Sequence, residues 1–112
     1  MQVELLVVAG CPHEAVAHAV LAQAAEQAGV VDVAFSVTLI DTENEAQARG
    51  FVGSPTFLLD GVDPFADPVA QTGLSCRLYP TAAGSAGVPD VAALRDVLVR
   101  ACASRSSEAG DR

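Results

Sequence analysis

The chain has 112 residues, of which 51% are hydrophobic and 18% charged, and a formal net charge of -8 at pH 7. That size predicts one domain with a single core, and that composition a folded chain rather than a disordered one. Fourteen acidic residues against six basic ones exclude nucleic acid and anionic membrane surfaces as partners, because both require a basic patch.

Residues 3–9 are a nearly unbroken apolar run enriched in Val, the pattern of a central strand buried on both faces. Gly10-Cys11-Pro12 breaks the run. Pro12 suits the first turn of a helix, where the N–H it lacks would have no partner. That helix is predicted to reach about Ala28 and stop at Gly29, with Val16, Ala19, Val20 and Ala24 as its apolar stripe. Every apolar run is interrupted by charge or Gly before the roughly 18–20 residues of a membrane span. Met1-Gln2-Val3-Glu4 lacks the basic start of a signal peptide, so the expected location is the cytoplasm.

Val33, Phe35, Val37 and Leu39 alternate with Ala34, Ser36 and Thr38, predicting a second strand over residues 33–40. Strand, helix and strand with a long crossover make a right-handed parallel βαβ unit. Thr42-Glu43-Asn44-Glu45 is a capping box opening a short helix that ends near Gly50. Gly53-Ser54-Pro55-Thr56 leads into a third strand, Phe57 to Leu59, closed by an Asp60-Gly61 turn. Residues 62–73 contain Asp63-Pro64 and Asp67-Pro68 and read as loop, residues 74–79 as a fourth strand, and residues 81–87 as loop. Val88-Pro89-Asp90 begins a last helix to about Ala103, and the polar residues 104–112 are expected to fray. The order β-α-β-α-β-β-α predicts one α/β domain over residues 1–103, a mixed four-stranded sheet with helices on both faces.

Cys11 is the candidate nucleophile. A thiol at a helix start meets the positive end of the macrodipole and free N–H donors, and both favour thiolate. In such motifs the thiol pKa falls from about 8.5 to between about 3.5 and about 7. His13 adds positive charge when protonated. Glu14 stands where a dithiol site carries its second Cys. It cannot resolve a mixed disulfide, and its charge opposes the thiolate. Three roles stay open for it: a first-turn acid that stabilises the helix, a general acid or base beside the thiol, or the ion-pair partner of His18 four residues on. His13 and His18 point apart on a helix and do not complete a metal site with Cys11, so no metal and no cofactor are predicted. Cys102 continues the stripe of Val91, Leu94 and Leu98 and reads as a core residue. Cys76 lies on the predicted fourth strand beside Arg77. If the third and fourth strands pair antiparallel, Tyr79 comes near Thr56 and Cys76 sits farther from Cys11. A Cys11–Cys76 disulfide, which needs Cα atoms within about 7 Å, is then unfavourable without movement.

The element order, Cys11-Pro12 at the first strand–helix junction and Ser54-Pro55 before the third strand together resemble the thioredoxin fold. Cys11-Pro12-His13 resembles the Cys-Pro-His-Cys site of DsbA-type oxidoreductases. The resemblance covers residues 3–103. It implies a catalytic Cys11 with His13 and Glu14 beside it, a cis Pro55 lying against the thiol, and a Ser54 whose backbone pairs with a bound peptide or thiol. Pro12, Ser54, Pro55 and Cys76 become the substrate-binding positions. A narrower set of segments resembles a group of small stand-alone thioredoxin-like chains, some of them labelled alkylmercury lyase: Gly53 to Thr56, Asp60 to Phe65, Leu74 to Tyr79, and Gly87-Val88-Pro89. That chemistry holds mercury on two cysteines and protonates the departing carbon with an acid, which implies Cys11, Cys76 and Glu14.

Three functions are therefore expected in turn. The first is a monothiol thioredoxin-like protein whose Cys11 reacts with a small thiol or a protein thiol/disulfide partner. The second is a mercury- or organomercurial-handling protein using Cys11 and Cys76. The third is a non-catalytic interaction domain that keeps the fold without the chemistry.

Overall fold

A computed structural model describes residues 1–30, 33–66 and 70–110. The predicted Asp67-Pro68 turn lies outside the described residues. The central strand is β1 (Gln2–Val7), parallel to β2 (Ala34–Leu39) and antiparallel to β3 (Thr56–Leu59), in the order β2-β1-β3. Helix α1 (Glu14–Ala28) is the crossover between β1 and β2, and α2 (Glu43–Arg49) links β2 to β3. Helix α3 (Val91–Gly110) closes the chain and packs along α1.

The apolar run of β1 is buried on both faces, as its composition predicts. On one face Val3, Leu5 and Val7 join Phe57 and Leu59 of β3, Ala17, Leu21 and Ala24 of α1, and Leu94 and Leu98 of α3. On the other, Leu6 and Leu58 pack with Ile40, Ala46 of α2 and Phe51. Glu4 shares this second face. Its carboxylate accepts the Thr38 hydroxyl at 2.5 Å and the Arg49 guanidinium at 2.6 Å. The Thr38 bond and, after a smaller opposing effect of burial, Arg49 hold its pKa below the ordinary glutamate value.

Thr42 caps α2 as the sequence predicts, its hydroxyl accepting the Glu45 N–H at 3.1 Å, and the Glu45 carboxylate reaches back to that hydroxyl at 3.3 Å. Gly29 and Gly50 end their helices in left-handed conformations. The buried face of α1 is turned from the predicted stripe. Ala17, Leu21 and Ala24 are inside, whereas Val16 is 48% exposed. An Ala-rich helix defines its face poorly by periodicity, and Leu21, its one leucine, takes the core position.

The expected four-stranded sheet does not form. The sheet has three strands, and residues 74–78 meet it through one isolated parallel bridge, Ser54 to Cys76. Arg77, in the middle of the predicted strand, is buried, and its N–H makes one of the two bonds of that bridge, to the Ser54 carbonyl. The chain then makes a separate antiparallel hairpin of β4 (Tyr79–Thr81) and β5 (Gly84–Ala86), where a loop over 81–87 was predicted. Gly84, at φ +114°, supplies the backbone this turn requires. The Asp90 carboxylate, just before α3, accepts the Ala82 N–H at 2.9 Å and ties the hairpin to the helix start. Among the described residues no helix is long and apolar enough to cross a membrane.

Candidate functional site

The sequence-predicted residues gather where β1 ends. Past Val7 the chain turns sharply. Gly10 adopts φ +67°, the Cys11 N–H donates to the Val8 carbonyl at 3.3 Å, and the Glu14 N–H donates to the Cys11 carbonyl at 3.3 Å. Helix α1 starts at Glu14 with His13 as its N-cap, and the His13 side chain makes no capping hydrogen bond. Cys11 and Pro12 therefore lie in the turn before the helix rather than in its first turn. The Pro12 ring restricts the backbone there, and a second tight turn precedes the helical ladder. Cys11 is a free thiol, half-buried against the edge of the α1–α3 core.

His13 and Glu14 are each engaged elsewhere. Glu14 faces His18 one turn along α1, with Oε2 3.7 Å from Nε2, which is the ion-pair geometry among its three predicted roles. That pair is exposed, so it contributes little to stability. The imidazole of His13 lies against the backbone of Gly87, so close that a Cβ there would fall 2.6 Å from three ring atoms. Both side chains begin beside Cys11, and neither pairs with its thiol among the described residues.

Ser54 and Pro55 sit across from this turn. The β1–β3 register, extended past Leu6 and Thr56, sets Ser54 beside Val8, and the Val8 N–H donates to the Ser54 hydroxyl at 3.2 Å. The Ser54–Pro55 peptide is cis, as the resemblance implies. Both residues are buried, however, and the backbone of Ser54 is already paired. Its N–H donates to the Ser75 carbonyl at 2.8 Å and its carbonyl accepts the Arg77 N–H at 3.0 Å. In this structure the protein's own residues 75–77 pair with the Ser54 backbone, at the edge where the resemblance implies a bound peptide or thiol.

The same bridge relocates Cys76. It pairs parallel to Ser54 rather than antiparallel farther along β3, so it lies at the Cys11 end of the sheet, with an exposed thiol. Cys102, on α3, is half-buried.

A buried polar cluster holds residues 75–77 in place, and sequence reasoning missed it. The Arg77 guanidinium reaches Asp63 at 2.7 and 3.4 Å, the Phe65 carbonyl at 2.6 Å and the Thr56 hydroxyl at 3.2 Å, and stacks 4.7 Å over the Tyr79 ring. The Tyr79 hydroxyl donates to the Pro55 carbonyl. Burial raises the Tyr79 pKa far above the ordinary phenol value, with Arg77 opposing and Asp63 reinforcing the shift. The one available signal was a lone Arg among apolar residues, followed by the chain's single Tyr.

Among the described residues no group of three or more His, Cys, Asp or Glu side chains is arranged to hold a metal ion. No family model, no curated protein and no solved structure matches the chain.

Proposed function

We propose that the protein works through Cys11 as a single nucleophilic thiol. One observation carries this reading: a free, half-buried Cys11 in the tight turn between the central strand and α1, with buried Ser54 hydrogen-bonded to that turn at Val8. The Cys11 thiolate attacks a disulfide R–S–S–R′. A Cys11–S–S–R bond forms, R′S⁻ leaves and takes a proton from water, and a second thiol from solution releases Cys11. Glu14 leaves no second sulfur in the motif, so the cycle depends on an external thiol.

The test is native-state alkylation with limiting iodoacetamide at about pH 6, read by peptide mass spectrometry. Cys11 is expected to label faster than Cys102, which is equally a half-buried residue. Equal rates in native protein would end this reading.

The Ser54–Cys76 bridge favours a second reading, in which Cys11 and Cys76 together take a soft ion such as mercury. Both lie at one end of the sheet, on segments joined through Ser54. A mercury stoichiometry and affinity unchanged by Cys76→Ser would exclude a two-thiol site.

A further inference from the structure

Strand β2 is an edge of the sheet, and its pattern is unusual for an edge. The Ala34 N–H donates to the Met1 carbonyl and the Ile40 N–H to the Val7 carbonyl, so the even-numbered residues of β2 face β1. The N–H and C=O groups of Phe35, Val37 and Leu39 therefore point outward, and among the described residues nothing pairs with them. The side chains of the same three residues are 40%, 42% and 45% exposed. Natural edge strands are usually guarded by charge, Pro, a bulge or a covering element. Ala34-Phe35-Ser36-Val37-Thr38-Leu39 carries no charge and no Pro. Beside it runs an apolar groove of about 290 Å³ between α1 and β2, where His18 meets Phe35 edge-on at 4.9 Å.

We propose that β2 is a homodimer strand: two copies pair antiparallel across a two-fold axis at Val37, joining their sheets into one. A second copy is the occupant for two reasons. First, the strand is self-complementary in this register. Val37 meets the partner's Val37 and Phe35 meets the partner's Leu39, each pair exchanging both outward hydrogen bonds. On the opposite face Ser36 meets the partner's Thr38, while Ile40 opposite the partner's Ala34 stays buried in its own core. Hydroxyl faces hydroxyl, apolar faces apolar, and the flanking Asp41 falls opposite the partner's Val33 rather than another acid. Second, although a net charge of -8 on each chain opposes association in general, residues 33–40 hold no acid, so pairing along this strip adds no like-charge contact within it. The two-fold places both α1 helices on the same side of the joined sheet, so the His18–Phe35 groove gains a wall from the partner. One strand with its flanking groove is smaller than the roughly 800 Å² per partner of a standard interface, so the dimer is reversible, with a dissociation constant of about 10–100 µM.

Sedimentation velocity across a concentration series tests this. The weight-average mass is expected to rise from that of the 11.4 kDa chain toward twice that value between about 5 and about 500 µM. Val37→Lys, which sets two like charges at the axis, should leave a folded monomer at every concentration. Val62→Lys, at a 65% exposed apolar residue outside the strip, should behave as the unsubstituted protein. Register is read separately. With Cys11, Cys76 and Cys102 replaced by Ser, Val37→Cys should crosslink to dimer under mild oxidation, since hydrogen-bonded antiparallel pairs place Cα atoms about 5.5 Å apart, while Ser36→Cys should not. A monomer throughout the series, or a dimer that Val37→Lys leaves intact, overturns the proposal.

Discussion

Replacing Arg77 with Met keeps an unbranched aliphatic stem and removes the charge with its stacking on Tyr79. The guanidinium is 8% exposed and its partner Asp63 16%, so both are largely out of water. Its loss leaves Asp63 a buried carboxylate without its counter-ion, and the Phe65 carbonyl without a charged donor. Breaking a buried pair by removing one partner costs about 3–5 kcal/mol. The stem retained by Met puts the expectation at the lower end, about 3 kcal/mol, a large part of the roughly 5–15 kcal/mol that holds a domain of this size folded. With a urea m-value of about 1–1.5 kcal/mol/M, the midpoint should fall by about 2–3 M. The chain has no Trp, so far-UV circular dichroism is the readout. Asp63→Asn in the same background should recover part of the loss, with a coupling energy of about 1.5–3 kcal/mol. A loss under about 1 kcal/mol, or strictly additive single and double variants, would show that the pair does not hold residues 75–77 to the sheet.

Gly53→Ala sets a Cβ 2.8 Å from the Arg77 Cβ at a backbone φ of +146° and should cost at least about 2 kcal/mol by the same urea assay; a neutral result would mean that Ser54 and residues 75–77 are not held this closely. Glu4 has a folded pKa below its ordinary value, so its contribution is present above that ordinary value and lost as pH falls through the folded pKa. Glu4→Gln should therefore be less stable by about 0.5–1 kcal/mol at pH 7, and the gap should narrow as pH falls below the ordinary glutamate value and close once it is below the folded pKa; a gap that persists in acid, below the folded pKa, contradicts the linkage. Tyr79 has a raised pKa, so its contribution is complete below the ordinary phenol value of about 10 and declines as pH rises beyond it. As the only Tyr, it should show tyrosinate absorbance only together with loss of circular dichroism, and ionisation within intact protein would refute its burial.

The parts legible in the sequence are those fixed by local pattern. The Val-rich run of β1, the Thr42 cap, and Gly29 and Gly50 at helix ends each act within a few residues and fold as read. The absence of a fourth strand is not legible because the alternation of Leu74, Cys76 and Leu78 carries no sign of the anion that Arg77 between them requires when buried. That anion, Asp63, is 14 residues upstream in a stretch read only as turns. The hairpin over 79–86 was missed because Thr81-Ala82-Ala83-Gly84 carries no Asn-Gly or Asp-Gly signal. At the candidate site, the cis Ser54–Pro55 peptide follows the resemblance and the Glu14–His18 pair is one of the three roles left open for Glu14, whereas the start of α1 beyond Cys11 and the pairing of Ser54 with residues 75–77 depended on contacts far apart in the chain.

Ser54 joins three distant stretches, Val8 through its hydroxyl and residues 75 and 77 through its backbone. Every one of these bonds closes a long loop, so the junction has high contact order and is absent from any partly folded chain that lacks either end. Cys11 and Cys76 are therefore independent thiols until the whole domain is assembled. Coupled behaviour between them, in oxidation or in mercury titration, would itself report the native state and vanish in urea at the same midpoint as the circular dichroism.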